Sequence, residues 1–306
     1  MKNSNAINQK INEYYAHLKN KSLSYELLIE KTLLNDKNYL NKVNEIGNLK
    51  LDIAKAYYLN NTALENELES KLLVLENEKT SIESHILSKI EKYKYACEQC
   101  RDSGFISNKR CSCYYKKVAE FCFDALMLKK VDYPSFNGEI YDENQKFAQK
   151  LVKFSKEFPN NKIKNLVFSG KAGTGKTFLA KCIANDVENS NFSVIYLTST
   201  DLNYLFLKMH LGEIDKILVL DILKDCDLLI VDDFGTEPIF NNVTIEYYTD
   251  IISYRITNLK HLIITTNLTP NEILNRYNER IYSRLSDKTI TAIIPFNGKD
   301  LRQKYN

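Results

Sequence analysis

One eight-residue stretch indicates the fold of this chain more strongly than any other: Gly170-Lys171-Ala172-Gly173-Thr174-Gly175-Lys176-Thr177. It matches the pattern G-x-x-x-x-G-K-[ST], and it lies between an apolar run (166–168) and a helical run (178–184). Glycines allow backbone N–H groups to turn inward around phosphates, and a helix N-terminus adds positive potential. The stretch therefore predicts a phosphate-binding loop between a strand and a helix. The candidate nucleotide contacts in and beside it are Gly170, Ala172, Gly173, Thr174, Gly175, Lys176, Thr177 and Phe178.

Two acidic residues after a second apolar run predict a metal-binding part of the same site. The run Leu228–Val231 has the composition of a buried strand, and Asp232 and Asp233 follow it directly. In loops of this kind the lysine (Lys176) neutralises the β- and γ-phosphates, and the hydroxyl beside it (Thr177) joins the Mg²⁺ shell. We expect Asp232 to hold Mg²⁺ and Asp233 to polarise the attacking water. A helix cap or a solvated turn is the alternative explanation of the two acids.

Further polar residues downstream complete the predicted catalytic set. Asn267 ends the apolar run Leu262–Thr266, where its amide can position water near the γ-phosphate or simply form a turn. Arg280 and Arg284 stand four residues apart and share one helix face, which is either a solvated basic face or an arginine finger for a neighbouring subunit. The guanine-reading pattern N-K-x-D is missing from the sequence, so we favour ATP as the nucleotide.

Short apolar runs alternate with helical patterns from residue 163 onward. Such alternation predicts a parallel, doubly wound α/β sheet, because parallel strands are buried on both faces and are joined by helices. The five predicted strands are Leu166–Phe168, Val194–Leu197, Leu228–Val231, Leu262–Thr266 and Thr291–Ile294.

The first 93 residues predict a different architecture. They hold one glycine, Gly47, and no proline, so helix is expected throughout. Leucine and isoleucine recur at helical spacing between Leu64 and Ile86, where Asn61 or Thr62 can cap the helix. Earlier apolar groups predict two or three shorter helices. The expected structure is an all-α bundle.

Four of the seven cysteines lie close together, with the spacing C-x2-C-x10-C-x-C. They are Cys97, Cys100, Cys111 and Cys113. Four thiolates suit tetrahedral Zn²⁺, and a redox pair or an iron–sulfur cluster is the alternative. Cys122 can replace one ligand.

Basic and aromatic residues interleave around these cysteines, between residues 92 and 117. This pattern is typical of a surface that binds single-stranded nucleic acid through phosphates and stacking. A solvated rim around a zinc site and a docking surface for an acidic partner are the alternatives.

Composition limits the class of protein and the cellular compartment that we expect. The chain has 306 residues and a formal net charge of +3, too small an excess to indicate nucleic-acid or membrane binding by itself. No apolar stretch is long enough for a signal peptide or a transmembrane helix, so we expect a cytoplasmic protein with no membrane partner.

The order of these motifs resembles a known family. The phosphate loop, Asp232-Asp233-Phe234-Gly235-Thr236-Glu237, Thr265-Thr266-Asn267 and Glu279-Arg280-x-x-x-Arg284 together resemble the AAA+ ATPases of the DnaC/DnaI type, the bacterial replicative helicase loaders. Relatives of these loaders include the IstB-type transposition helpers. The cysteine-rich segment is similar to that of the DnaI-like branch. The likeness covers about residues 94–306, and the N-terminal helices match in position and character only.

This resemblance implies further roles and a domain plan. Asp232 and Asp233 become Walker B and Asn267 sensor 1. Arg284, with Arg280, becomes the finger region, and Arg302 falls where the family carries a second sensor arginine. An aromatic such as Phe136 or Tyr141 is expected near the adenine, and no separate helical lid is expected. The implied domains are a helical, helicase-interacting region (1–93), a zinc element (94–117), a connector (118–160) and an AAA+ domain (161–306).

The leading functional hypothesis is an ATP-hydrolysing loader of the hexameric replicative DNA helicase. It requires self-association through the AAA+ domain, contact with single-stranded DNA, and ATP, Mg²⁺ and Zn²⁺. A transposition helper and a nucleotide-binding adaptor without relevant hydrolysis are the alternatives.

Overall fold

The computed structural model describes residues 2–126, 131–136 and 145–297, which form eleven helices and seven strands. The helices are α1 Lys2–Leu34, α2 Lys37–Tyr58, α3 Thr62–Leu87, α4 Ser112–Leu126, α5 Gln145–Glu157, α6 Lys176–Asn189, α7 Ser199–His210, α8 Lys216–Asp225, α9 Thr244–Thr257, α10 Pro270–Arg276 and α11 Glu279–Leu285. The strands are β1 Phe105–Ile106, β2 Lys109–Arg110, β3 Asn165–Gly170, β4 Val194–Thr198, β5 Leu228–Phe234, β6 His261–Thr266 and β7 Thr291–Phe296.

Two compact units divide the chain: Tyr14–Ser103, and Met1–Glu13 together with Gly104–Asn306. The predicted domain bounds differ from this division and stay a prediction. Among the described residues, no helix combines the length and the hydropathy that crossing a bilayer requires.

The first unit is helical, as predicted. Asn61 caps α3 by accepting a hydrogen bond from the Leu64 N–H at 3.2 Å. Helices α2 and α3 pack together, and ion pairs join Lys42 to Glu78 at 2.8 Å and Lys50 to Glu76 at 3.0 Å. Helix α1 is longer than the apolar pattern predicted, because residues 19–26 contain no glycine or proline to end it.

The second unit contains the predicted parallel sheet, with strand order β4-β5-β6-β3-β7. All five predicted strands are confirmed, each extended by a few residues. Every residue of β6 is buried, and β5 is buried except at Asp233, because helices cover both faces of the sheet.

The strand order sets the position of the functional site. Strand β6 lies between β3, which enters the phosphate loop, and β5, which ends in the paired acids. In a parallel sheet the carboxyl ends of neighbouring strands meet at one edge, so the polar residues that follow these three strands converge there.

The core of this unit includes a segment that the sequence assigned to the connector. Ala148, Leu151 and Phe154 of α5, with Phe158 after it, are buried against residues of β3, α6 and β6. Helix α5 is thus packed into the core of this unit.

Candidate nucleotide-binding site

The phosphate loop has the backbone that its glycines predict. Gly173 and Gly175 have φ of 77° and 92°, in the left-handed region, and Gly175 is the residue before α6. Thr174 is buried and donates a hydrogen bond to the Lys171 carbonyl at 2.9 Å. Phe178, on the first turn of α6, packs against the hydrophobic core. The N-terminus of α6 therefore faces the loop, as an anion site requires.

Lys176 is buried, and its ammonium group has three oxygen partners in hydrogen-bond range. It donates to the carbonyls of Gly170 and Lys171, both at 2.7 Å, and to the Asn267 side-chain oxygen at 2.8 Å. The structure thus brings together the loop lysine and the predicted sensor residue, although 91 positions separate them in the chain.

Asp232 is buried at the end of β5 and is surrounded by hydroxyl groups. Its Oδ1 accepts from Thr177 at 3.0 Å and from Thr265 at 2.5 Å, and its Oδ2 accepts from Tyr196. Burial raises the pKa of Tyr196, as does its bond to Asp232, so this phenol stays a donor. The adjacent hydroxyl of Thr177 and carboxylate of Asp232 offer hard oxygen ligands and therefore fit Mg²⁺.

Asp233 lies at a bulge in β5 and has a left-handed backbone, with φ of 54°. Its N–H donates to the Thr265 hydroxyl at 2.9 Å. Its carbonyl accepts from the Ser199 hydroxyl at 2.7 Å and from the Thr236 hydroxyl at 2.9 Å. Unusual backbone of this kind persists only where neighbours hold it and is common at functional sites. The side chain is exposed beside the buried Asp232.

Sequence reasoning gave no role to four residues that build this site: Tyr196, Ser199, Thr236 and Thr265. Thr265 carried a weak signal, since it precedes Asn267 in a polar strand end. Tyr196 carried none, because a tyrosine within an apolar strand is indistinguishable from a core residue. These contacts depend on strand order, which the sequence pattern did not specify.

The predicted arginines have no described bond to the phosphate loop. Arg280 is exposed and Arg284 half-buried on the short helix α11. Among the described residues, no hydrogen bond or ion pair joins either of them to the phosphate loop. Arg280 instead lines an open groove of about 910 Å³ with Glu246 and Asp250 of α9.

Two predicted residues, Arg302 and Tyr141, lie outside the described part of the chain. Phe136 is inside it and packs, with Tyr133, against the core that also receives Phe178. Its predicted place beside the adenine stays a prediction.

The four predicted cysteine ligands are brought together. The sulfur atoms of Cys97, Cys100, Cys111 and Cys113 lie within 4.8 Å of one another. Ideal tetrahedral zinc–thiolate bonds of about 2.3 Å place sulfurs about 3.8 Å apart, so the cluster can hold zinc. Cys122 lies in α4, and its side chain is outside the described part.

Backbone hydrogen bonds support the cysteine segment on both sides of its turn. The carboxylate of Asp102 accepts from the N–H groups of Cys97 at 2.8 Å and Ala96 at 3.2 Å. Beyond the turn, the Cys111 N–H donates to the Gly104 carbonyl at 2.9 Å. These bonds hold the backbone that carries the four cysteines.

Known proteins are similar to part of this chain. The Escherichia coli K12 protein named replicative helicase loader DnaC is 30% identical over 140 residues, which are 44% of this chain and 55% of that protein. The Helicobacter hepaticus chromosomal replication initiator protein DnaA is 25% identical over 146 residues, 45% of this chain and 30% of that protein. The match thus spans little more than half of the loader and about a third of the initiator.

A solved structure described as the DnaC helicase loader is 23% identical, covers 54% of this chain and 94% of that chain, and has a TM-score of 0.46. The family described as IstB-like ATP binding protein matches residues 113–297, more than half of the chain. This range contains the phosphate loop, both acids of β5, Asn267 and the arginine helix α11. The expected resemblance to DnaC/DnaI-type AAA+ ATPases is confirmed, and the chain belongs to the IstB-like ATP-binding protein family.

Proposed function

We propose that this chain is an ATP-dependent loader of the replicative DNA helicase. One observation carries the proposal: Lys176, the Thr177–Asp232 pair and Asn267 converge at one edge of the sheet in a chain of this family. The similarity to a protein named replicative helicase loader supports the choice of helicase as the partner.

In the proposed reaction, water attacks the γ-phosphate of ATP and ADP leaves. The ammonium of Lys176 exchanges its present oxygen partners for phosphate oxygens, and the Thr177 hydroxyl and the Asp232 carboxylate hold Mg²⁺. Bound Mg²⁺ supplies neutralisation of the charge on the β- and γ-phosphates. Asp233 orients the attacking water and accepts its proton, while the Asn267 amide aligns that water.

An arginine from a second copy completes this site. Arg284, and Arg280 one turn before it, have no hydrogen bond or ion pair to their own loop among the described residues, and both lie on a helix beside an open groove. Hydrolysis by one copy alone is then slow, and assembly stimulates it, because the arginine stabilises charge only in the transition state.

The helical unit offers the surface for the helicase. At the end of α2, Tyr57, Tyr58 and Leu59 are 71%, 85% and 72% exposed. Large apolar side chains at a helix end are costly to leave in water and are typical of a protein-docking surface. We assign this end of α2 to the helicase contact.

Single-stranded DNA is assigned to the β1–β2 hairpin and the start of α4. Phe105 and Ile106 are 46% and 43% exposed, and the guanidinium of Arg110 lies 4.1 Å from the Phe105 ring centre and 4.0 Å from that of Tyr114. A cation held between aromatic rings beside the exposed Lys109 suits a phosphate chain with stacked bases. Zinc in the cysteine cluster is proposed to fix this hairpin.

Co-purification with a replicative helicase, with and without ATP, tests the loader proposal. The expected result is a complex with the hexameric helicase whose stability changes with ATP. Recovery of a transposase and no helicase would instead identify a transposition helper.

Lys176→Ala tests the third possibility, a nucleotide-binding adaptor. If this variant loses ATP binding and still loads helicase fully, the chain is an adaptor and the ATPase account is wrong.

A further inference from the structure

The buried carboxylate of Glu237 connects the loop after β5 to the segment that starts the arginine helix. Glu237 is fully buried, at 0% exposure. Its Oε2 accepts from the Gly235 N–H at 2.9 Å, and its Oε1 accepts from the Tyr277 hydroxyl. Its backbone carbonyl accepts from the Arg276 guanidinium. A buried carboxylate is stable only with such partners, so these bonds hold the loop to the end of α10.

Tyr277 is attached to the same loop a second time, through its ring. The rings of Phe234 and Tyr277 stack with centres 4.2 Å apart and planes 11° apart. Phe234 directly follows Asp233. Burial raises the pKa of the Tyr277 hydroxyl, and the Glu237 carboxylate raises it further, so the hydroxyl remains the donor in this pair.

Several hydrogen bonds hold the loop between these contacts. The Asp233 carbonyl accepts from the Thr236 N–H at 3.2 Å and from the hydroxyls of Thr236 and Ser199. The Phe234 carbonyl accepts from the Thr266 hydroxyl at 2.6 Å. A shift of Asp233 therefore moves the residues that hold Tyr277.

On the other side, Tyr277 controls where the arginine helix begins. It ends α10, and the next residue, Asn278, caps α11 by accepting from the Ile281 N–H at 2.8 Å. Only this two-residue junction separates α10 from the helix that carries Arg280 and Arg284. A change in the position of Tyr277 reorients that helix.

We propose that Tyr277, through its bond to Glu237, is a positioning residue that couples the Walker B loop of one subunit to the arginine which that subunit offers to its neighbour. This inference rests on the proposed function, in which the arginine acts in trans. It gives successive sites of an assembly a physical link, because the loop that meets the γ-phosphate and the arginine helix move as one body.

Mixed assemblies of full-length chains test this coupling. An acceptor, Arg280→Ala with Arg284→Ala, keeps its ATP site and lacks the arginines. A donor, Asp233→Asn, keeps the residues that bind ATP and offers the arginines but lacks the carboxylate that accepts the proton of the attacking water. Neither hydrolyses ATP well alone, and their mixture is expected to regain hydrolysis at the mixed interfaces. No regain would overturn the arginine assignment, and with it the coupling.

The decisive comparison places a second change in the donor only. Tyr277→Phe removes the hydroxyl and keeps the stacked ring, and Glu237→Met removes the carboxylate from the other side of the bond. Each is expected to lower the rescue at least about fivefold relative to the unmodified donor. Tyr254→Phe is the matched control, because it removes a tyrosine–carboxylate bond to Asp225, at 3.2 Å, away from the site. It is expected to leave the rescue unchanged.

The donor cannot hydrolyse ATP well, so the rescued hydrolysis is that of the acceptor. Thermal unfolding of each donor identifies a variant that fails to fold, and the two variants break the bond from opposite sides, so one folded variant suffices. If a folded Tyr277→Phe or Glu237→Met donor rescues as well as the Tyr254→Phe donor, the coupling is wrong while the trans arginine stands.

Discussion

The Lys176 ammonium lies 2.8 Å from the side-chain oxygen of Asn267. This contact joins the loop after β3 to the end of β6, the neighbouring strand in the sheet. The lysine that is expected to bind phosphate and the amide that is expected to align water thus share one position, where a γ-phosphate can replace their mutual bond.

Asn267→Ala is expected to lower kcat for ATP hydrolysis roughly 10–100-fold, because the water loses an orienting group. The KM for ATP should change less, since the loop amides and Lys176 remain. Steady-state hydrolysis by the assembled protein, with ATP binding measured separately, checks this. Asn275→Ala, an exposed asparagine on α10, is the control. A loss confined to KM would show that Asn267 serves binding alone.

The fold was predictable from sequence because its strands are continuous apolar runs and its loop has a fixed pattern. The site residues that directly follow a strand were also predictable, because the apolar runs locate the strand ends. Tyr196, Ser199, Glu237 and Tyr277 were not, since their roles depend on which strands are adjacent and on which short loops meet. Nothing in Glu237 distinguishes a solvated loop acid from a buried carboxylate until its partners, 40 residues away at Tyr277, are known.

Gly170→Ala is expected to destabilise the ATPase unit, which is Gly104–Asn306 together with Met1–Glu13, by about 3 kcal/mol. Gly170 has φ of 148°, and a Cβ at this position would lie 2.1 Å from the Phe296 carbonyl oxygen. Both are backbone constraints that no side-chain rotation relieves. Thermal or denaturant unfolding of the full chain measures the change.

Gly47→Ala provides a control of opposite sign. Gly47 lies within α2 and has nothing within 4 Å of a Cβ position. Alanine there is expected to stabilise the helical unit by about 0.5–1 kcal/mol. If Gly170→Ala proved neutral, the close approach of β7 to the phosphate loop would be wrong.

Zinc content distinguishes the cysteine cluster from the other cysteines. Elemental analysis of the purified chain is expected to give about one zinc ion, and Cys100→Ser to lose it, because three thiolates bind more weakly than four. Cys182→Ala should keep the metal, since burial raises the pKa of the Cys182 thiol to about 12 and leaves it protonated. Iron with visible absorption would instead identify an iron–sulfur cluster.

His261 gives the ATPase unit a predictable loss of stability in acid. The imidazole is buried at the start of β6, where its Nε2 lies 3.0 Å from the Asn161 side-chain oxygen and its ring lies 4.3 Å from that of Phe158. Burial lowers the pKa of His261 to about 3, and the positive charges of Lys164, Arg255 and Lys260 add to this effect.

The sign follows from proton linkage. Below pH 6.5 the unfolded chain binds a proton at His261 that the folded chain excludes until about pH 3, so the free energy of unfolding falls as pH falls through this window. Between pH 7.5 and pH 5 the expected loss from this residue is about 2 kcal/mol. Denaturant unfolding at both pH values measures it. His261→Gln should remove most of this dependence, whereas the exposed His210→Gln should retain it. An unchanged slope in His261→Gln would mean that other groups cause the acid sensitivity.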